Sequence, residues 1–224
     1  MKKFAYLSLC FVAMVFCFAG CGIKPEELAK NNLSELHLNY FTAETQSFTI
    51  SMWSGFRENP YVIDGVKQQS VEFCVLNVVP KSGVKAFGLG YTVEINEETF
   101  NGELEESPFD DSFGADLEMK VDDLDSIFVY VIVDGETEIG KMTCISNAFK
   151  INQTQALDIA VSHLESELLD LCDNGNLSIE GYCKIISTDK NLGVYFWYIN
   201  FVNSNGVQIA VVIDTTSGEI VAQK

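Results

Sequence analysis

The sequence predicts a mainly β protein with α+β character: an antiparallel β-sandwich, then a small domain in which one helix covers an antiparallel meander. Three observations lead to this fold class. Between residues 33 and 149, apolar and polar residues alternate in short runs, which is the period of half-buried strands. A single apolar stripe with helical spacing follows Asn152. The chain then closes with β-branched and aromatic runs separated by Asn, Ser and Gly, a hairpin signal.

Residues 33–149 are predicted to form an immunoglobulin-like antiparallel sandwich. Turn signals such as Asn59-Pro60, Asp64-Gly65 and Asp134-Gly135 separate the apolar runs at regular intervals. About a hundred residues is the usual size of such a sandwich, although the Cys-Trp-Cys pattern of antibody domains is absent. The run 127–133 is apolar on both faces, so we expect it to lie centrally in its sheet. The candidate strands centre on residues 48–52, 71–76, 91–95, 100–104, 117–121, 127–133 and 138–145.

The region 150–224 is predicted to be the small α+β domain. Asn152 and Gln155 form a capping-box pattern at the start of a helix that runs to about Leu171. Its apolar stripe needs a sheet to cover, and the strands after Tyr195 supply one. The stripe consists of Ala156, Leu157, Ala160, Val161, Leu164, Leu168 and Leu171.

These residues resemble a known family. The helix start 151–160, the strands after it, and the ending Asp214-x-x-x-Gly218-Glu219-Ile220 are similar to a PepSY-type domain. Such domains occur in propeptides of secreted thermolysin-like peptidases and in surface and spore-germination proteins. The resemblance implies a role in protein interaction or peptidase modulation, with no active site. It also implies that the Asp214 ending is a turn signature.

The N-terminus is predicted to be a secretion signal spanning residues 1–20. Lys2 and Lys3 precede an apolar stretch, 4–19, which is short for a membrane span. The stretch ends in Phe-Ala-Gly-Cys21, which resembles the bacterial lipobox, and this implies lipidation of Cys21. We expect residues 21–32 to be a lipidated tether, in which one helical turn can follow Pro25, and this tether holds the protein on the extracytoplasmic face of the cell membrane. Ordinary signal cleavage and an uncleaved anchor are the alternatives.

The charge balance limits the partners. The chain has 14 basic and 32 acidic residues, a net charge of −18. Removal of Lys2 and Lys3 with the signal would leave 12 against 32, or −20. Such a protein repels nucleic acid, so we exclude nucleic-acid binding.

The sequence contains no G-x-S-x-G, H-E-x-x-H or glycine-rich phosphate motif, so we predict no catalytic residue, no metal site and no cofactor. Cys74 and Cys144 are expected to be buried inert thiols. A disulfide between Cys172 and Cys183 could close a local loop in an exported protein. Acidic runs such as Glu103–Glu106 leave calcium open as an alternative, since calcium takes oxygen ligands from loops.

These observations predict a non-catalytic module that binds an envelope protein or peptide, with an envelope peptidase as one possible target. The alternative is a solute- or glycan-binding surface lipoprotein. Trp53, Phe56 and Tyr61 are the candidate binding residues, because an exposed aromatic platform recognises peptides and glycans. Trp53 can equally be interpreted as a core residue, and Trp197 is interpreted as a residue buried beneath the C-terminal helix.

Overall fold

The computed structural model describes residues 25–95, 98–117, 119, 124–171, 179–189 and 193–224. Its α-helices are α1 (Pro25–Asn31), α2 (Gln153–His163) and α3 (Glu165–Leu171), with a 3₁₀ turn at Ser146–Ala148. Its strands are β1 (Leu33–Glu44), β2 (Phe48–Glu58), β3 (Ser70–Pro80), β4 (Gly90–Ile95), β5 (Glu98–Glu103), β6 (Glu105–Glu106), β7 (Phe113–Leu117), β8 (Ser126–Val133), β9 (Glu136–Cys144), β10 (Ile179–Asp189), β11 (Val194–Asn203), β12 (Gln208–Asp214) and β13 (Ile220–Gln223).

The fold is mainly β with few helices, which confirms the predicted class. One path of strands runs β13-β12-β11-β10-β1-β2-β3-β7-β6. A second group, β5-β4-β8-β9, joins this path where β9 pairs with β1 at Phe41 and Thr42. Among the described strands, all pairings are antiparallel except that of β10 with β1, which is parallel.

Two hydrophobic cores lie on this framework. The first is sandwiched between the two groups of strands and contains Phe41, Ile50 and Leu76 with Val129 and Met142. The second lies between the helices and β10–β12, and its largest member, Trp197, is 1% exposed and donates from Nε1 to the Ile151 carbonyl at 2.7 Å. Trp197 is therefore buried beneath the helices in the C-terminal core, as the sequence predicted.

The C-terminal elements follow the sequence closely. Asn152 caps α2 in a complete capping box with Gln155, both hydrogen bonds measuring 3.0 Å. The predicted single helix is divided at Leu164 into α2 and α3. The β11–β12 hairpin turns with Gly206 at a φ of +74°, a conformation that favours glycine.

The predicted tether differs from the structure. Residues 25–31 form α1, which packs against α2, α3 and β10. Ala29 is fully buried in the second core, and Lys30 pairs with Asp158 of α2 at 2.5 Å. This segment is therefore part of the folded body, although a seven-residue amphipathic stretch has too short a pattern to show that from sequence.

The sheet crosses the predicted boundary between the two halves. Leu33 to Leu36 of β1 pair with Gly181 to Cys183 of β10 in parallel, so β1 belongs to both halves. The two cores are separate, but one strand supports both. No helix among the described residues has the length and apolar character needed to cross a membrane.

Candidate binding cleft at the junction of the halves

The sheet splits along β1. At its N-terminal end this strand pairs with β10, but from Tyr40 onward the same edge bonds to residues 143–145, where the Ile145 amide donates to the Tyr40 carbonyl at 2.9 Å. Within the described residues, β10 has no strand partner on this side beyond Cys183. The remainder of β10 therefore has no paired strand on this edge, which is open beyond the Ile185 amide that donates to His37.

The direction of the main-chain groups on this edge follows from two hydrogen bonds. The amide of Gly181 donates toward β1, to the Asn32 carbonyl at 2.8 Å, and the amide of Ile185 donates to Nδ1 of His37 at 3.1 Å. Residues two apart in a strand present their main-chain groups to the same side, and the register with β11 is regular up to Ser187. The amide and carbonyl of Ser187 therefore face the split.

A cleft of about 530 Å³ fills the split, and we call it the junction cleft. Most of its side chains carry hydroxyls. The rings of Tyr40 and Tyr195 lie 5.5 Å apart at its base, and burial raises the pKa of both phenols, so both stay neutral donors. The lining residues are Tyr40, Thr42, Ala43, Glu44, Thr49, Ile50, Ser51, Lys141, Thr143, Ser187, Gly193 and Tyr195.

A second cleft of about 600 Å³ continues the first, since both are lined by Thr42, Gly193 and Tyr195. It ends at Asp214 and Thr216. The amides of Ser217 and Thr216 donate to Asp214 Oδ1 at 2.7 and 2.8 Å, and these bonds lower the pKa of Asp214. Asp214 therefore acts in a turn here, which agrees with the turn interpretation of this ending.

A buried ionic cluster lies beside the cleft where β1 and β10 pair. Glu35 accepts from Nε2 of His37 at 2.8 Å and pairs with Nζ of Lys184 at 2.6 Å. Burial raises the pKa of Glu35, but the His37 hydrogen bond and the charge of Lys184 outweigh it and lower the pKa to about 2. Burial lowers the pKa of His37.

His37 has no nitrogen left for chemistry. Since Nδ1 accepts from the Ile185 amide, Nε2 carries the proton that Glu35 accepts. The ring is 4% exposed and stacks on Trp53 with centroids 6.1 Å apart. The cluster therefore joins β1 to β10 as a structural clamp.

The predicted binding residues do not share one surface. Trp53 and Phe56 are three residues apart in β2, whose register with β3 is regular, so their side chains leave opposite faces. Trp53 is half-buried between Tyr40 and His37. Tyr61 is 45% exposed and lies beside Lys184 and the Tyr182 ring.

The remaining predicted sites involve cysteine. Cys21 and Cys172 lie outside the described residues. Cys183 is a fully buried free thiol in this structure, and its disulfide with Cys172 stays a prediction. Within the described part of the chain no group of three or more His, Cys, Asp or Glu side chains could hold a metal ion.

Sequence reasoning missed the residues of the junction cleft. Tyr40, Thr42, Ser187 and Tyr195 come from three strands whose meeting depends on where β1 changes its partner. No local pattern marks that change. No protein-family model, no curated protein and no solved structure matches this chain.

Proposed function

We propose that this protein is a non-catalytic binding protein of the cell envelope that takes an extended peptide segment of another protein into the junction cleft. The observation that carries the proposal is the open edge of β10, where the main-chain groups of Ser187 face a cleft of about 530 Å³. An extended peptide that adds a strand to such an edge gains main-chain hydrogen bonds.

The side chains around the edge would provide selectivity. In an added strand, alternate side chains point to opposite faces, so one set would meet Tyr40 and Tyr195 and the other would face solvent. Hydroxyls from Thr42 and Thr143 would satisfy polar groups of the peptide, whereas the Ser187 hydroxyl donates to the Val194 carbonyl at 3.1 Å. Recognition would therefore rest mostly on extended shape and small polar contacts.

The placement in the cell follows the N-terminal pattern. We propose that Cys21 carries the lipid, that the body lies on the extracytoplasmic face of the membrane, and that residues 33–149 have an immunoglobulin-like layout. The resemblance of residues 150–224 to PepSY-type domains makes an envelope peptidase a candidate source of the bound segment.

The test is selection of binders from a random peptide library displayed on phage, using the full-length protein in vesicles. Selected peptides should lose at least tenfold in affinity for the Ser187→Pro variant, because proline removes the edge amide while edge positions tolerate it. The matched control is Ser187→Ala, which keeps the amide and should bind normally. Equal binding by both variants, or a library that gives no binder, contradicts the proposal.

A glycan is the second candidate ligand, and one observation favours it. The junction cleft combines hydroxyl-bearing side chains with the paired rings of Tyr40 and Tyr195, and aromatic faces suit sugar rings. Glycan binding should be lost in Tyr195→Ala and kept in Ser187→Pro. Peptide binding, by contrast, should be lost in Ser187→Pro. Screening both variants on a glycan array separates the two ligands.

A further inference from the structure

The structure leaves little chain between the proposed lipid and the folded body. Residues from Pro25 onward belong to α1, and Ala29 is buried in the second core. Because α1 is part of the body, only the link from Cys21 to Pro25 remains, and it can span at most about 14 Å even when fully extended. Pro25 therefore stays within about 14 Å of the lipid attachment point, which is close enough for a face of the body to touch the bilayer.

An apolar corner lies next to the end of α1. Lys67 Nζ donates to the carbonyl of Asn31, the last residue of α1, at 3.3 Å. Lys67 belongs to the loop 59–69 between β2 and β3, and the loop touches the β11–β12 turn. A Cβ added at Gly65 would lie 2.4 Å from the Ser204 nitrogen. The corner consists of the exposed side chains Tyr61 (45%), Val62 (43%), Ile63 (60%), Val66 (49%) and Val207 (54%).

The loop is held in shape by buried contacts. Glu58, 1% exposed, accepts from the amides of Val62 and Gln68 at 3.3 and 2.9 Å. The Asn59 amide donates to the Gln69 carbonyl at 2.9 Å, which closes the base of the loop. The Tyr61 ring packs edge-on against Tyr182 at 6.1 Å. The apolar side chains thus project from an ordered base, so ordering them costs little on binding.

The two segments that form the corner carry no net charge, and Lys184, which lies beside Tyr61, pairs with Glu35. Residues 59–69 carry one acid, Asp64, and one base, Lys67, and residues 203–207 carry no charge, in a chain whose net charge is −18. An anionic membrane repels the acidic remainder of the surface, but it does not repel this corner. Tyrosine and aliphatic side chains are suited to the boundary between headgroups and acyl chains.

We propose that the corner formed by Tyr61, Val62, Ile63, Val66 and Val207 inserts into the lipid bilayer beside the lipidated N-terminus. The insertion rests on the proposed anchoring at Cys21. A lipid chain and an apolar corner are two attachments, and together they fix the orientation of the body. The bound surface is the bilayer itself, which covers side chains that would otherwise remain in water.

The experiment uses the full-length lipidated protein in vesicles of phosphatidylcholine and phosphatidylglycerol with brominated acyl chains, which quench nearby indoles. The test variant is Ile63→Trp. The matched control is Phe109→Trp, at a site that is 94% exposed but is followed by Asp110 and Asp111. The signal of the unsubstituted protein, from Trp53 and Trp197, is subtracted. Equal unfolding midpoints for the three proteins establish that both variants fold.

We expect the added Ile63→Trp emission to be quenched by at least half and to shift to the blue, and the Phe109→Trp emission to change by less than a tenth. Quenching of Ile63→Trp no greater than that of Phe109→Trp overturns the inference. A blue shift without quenching also overturns it, because protein rather than lipid would then cover the corner. If unsubstituted protein fails to float with the vesicles, the proposed anchoring fails as well; flotation without quenching contradicts the insertion alone.

Discussion

At the scale of single residues, a hydrogen-bonded ionic cluster lies where β1 meets β10. Glu35, His37 and Lys184 satisfy one another in a site where the first two are 7% and 4% exposed. Breaking a buried pair by removing one partner is expensive because the other charge is left uncompensated. These three residues therefore stabilise the contact between the two halves at the pairing of β1 with β10.

The first prediction concerns Glu35→Gln. The folded pKa of Glu35, about 2, lies below its ordinary value of 4.5, so its stabilising effect is present above pH 4.5 and is lost as the pH falls toward 2. This difference corresponds to about 3 kcal/mol. At pH 7, urea unfolding should show that the free energy of unfolding of Glu35→Gln is about 2–3 kcal/mol lower than that of the unsubstituted protein. This difference should narrow as the pH falls from 4.5.

The control for this prediction is Glu98→Gln, which alters an exposed carboxyl in β5. This substitution should change the free energy of unfolding by less than about 0.5 kcal/mol at both pH 7 and pH 3. A gap between Glu35→Gln and the unsubstituted protein that stays constant from pH 7 to pH 3 would mean that Glu35 contributes no ionic stabilisation.

The residue scale also shows a limit of the sequence. No sequence pattern around His37 predicts that its side chain is buried. The burial arises from an irregularity of β1 between His37 and Asn39 and from the parallel pairing of β1 with β10. Gly55 accommodates that irregularity: a Cβ there would lie 1.9 Å from the Leu36 carbonyl oxygen. Such long-range contacts leave no local signal.

At the scale of elements, local patterns and tertiary contacts contributed differently. The capping box at Asn152, the β11–β12 hairpin and the Asp214 turn were predicted because each is encoded in a few neighbouring residues. The packing of α1 into the folded body and the open edge of β10 were missed because packing partners define them. Strand periods were visible in the N-terminal half, but the order of the strands was not.

The second prediction tests whether α1 belongs to the folded body. Ala29→Glu places a carboxyl in the second core, where Ala29 is fully buried, and burying an unpaired charge should cost about 3 kcal/mol or more. Thermal unfolding measured by circular dichroism should show a clear drop in Tm. The control is Glu27→Ala on the exposed face of α1. If Ala29→Glu unfolds at the temperature of the unsubstituted protein, α1 is a spacer.

At the scale of the whole molecule, one strand supports two cores. Because β1 pairs with β2, β9 and β10, loss of either core removes a support of the other. Sequence predicted the two regions from their different periods, but it could not predict a shared strand, since each period is local.

The third prediction is that both cores unfold together. Cys74 lies in the first core and Cys183 in the second, and both are fully buried. Burial raises the pKa of Cys74 to about 12 and also raises that of Cys183, so neither thiol reacts until it is exposed. Mass spectrometry of thiol labelling against urea should give one midpoint for both. Midpoints that differ by more than experimental error would show that the halves unfold independently.

The most direct measurement of the central claim is amide hydrogen exchange at Ser187, with and without a peptide selected from the library. In the free protein the Ser187 amide should exchange far faster than that of Ile185, which donates to His37. Saturating peptide should slow Ser187 exchange by at least tenfold and leave Ile185 unchanged. A Ser187 amide that is already protected in the free protein, or that exchanges equally fast with peptide bound, contradicts strand addition at the junction cleft.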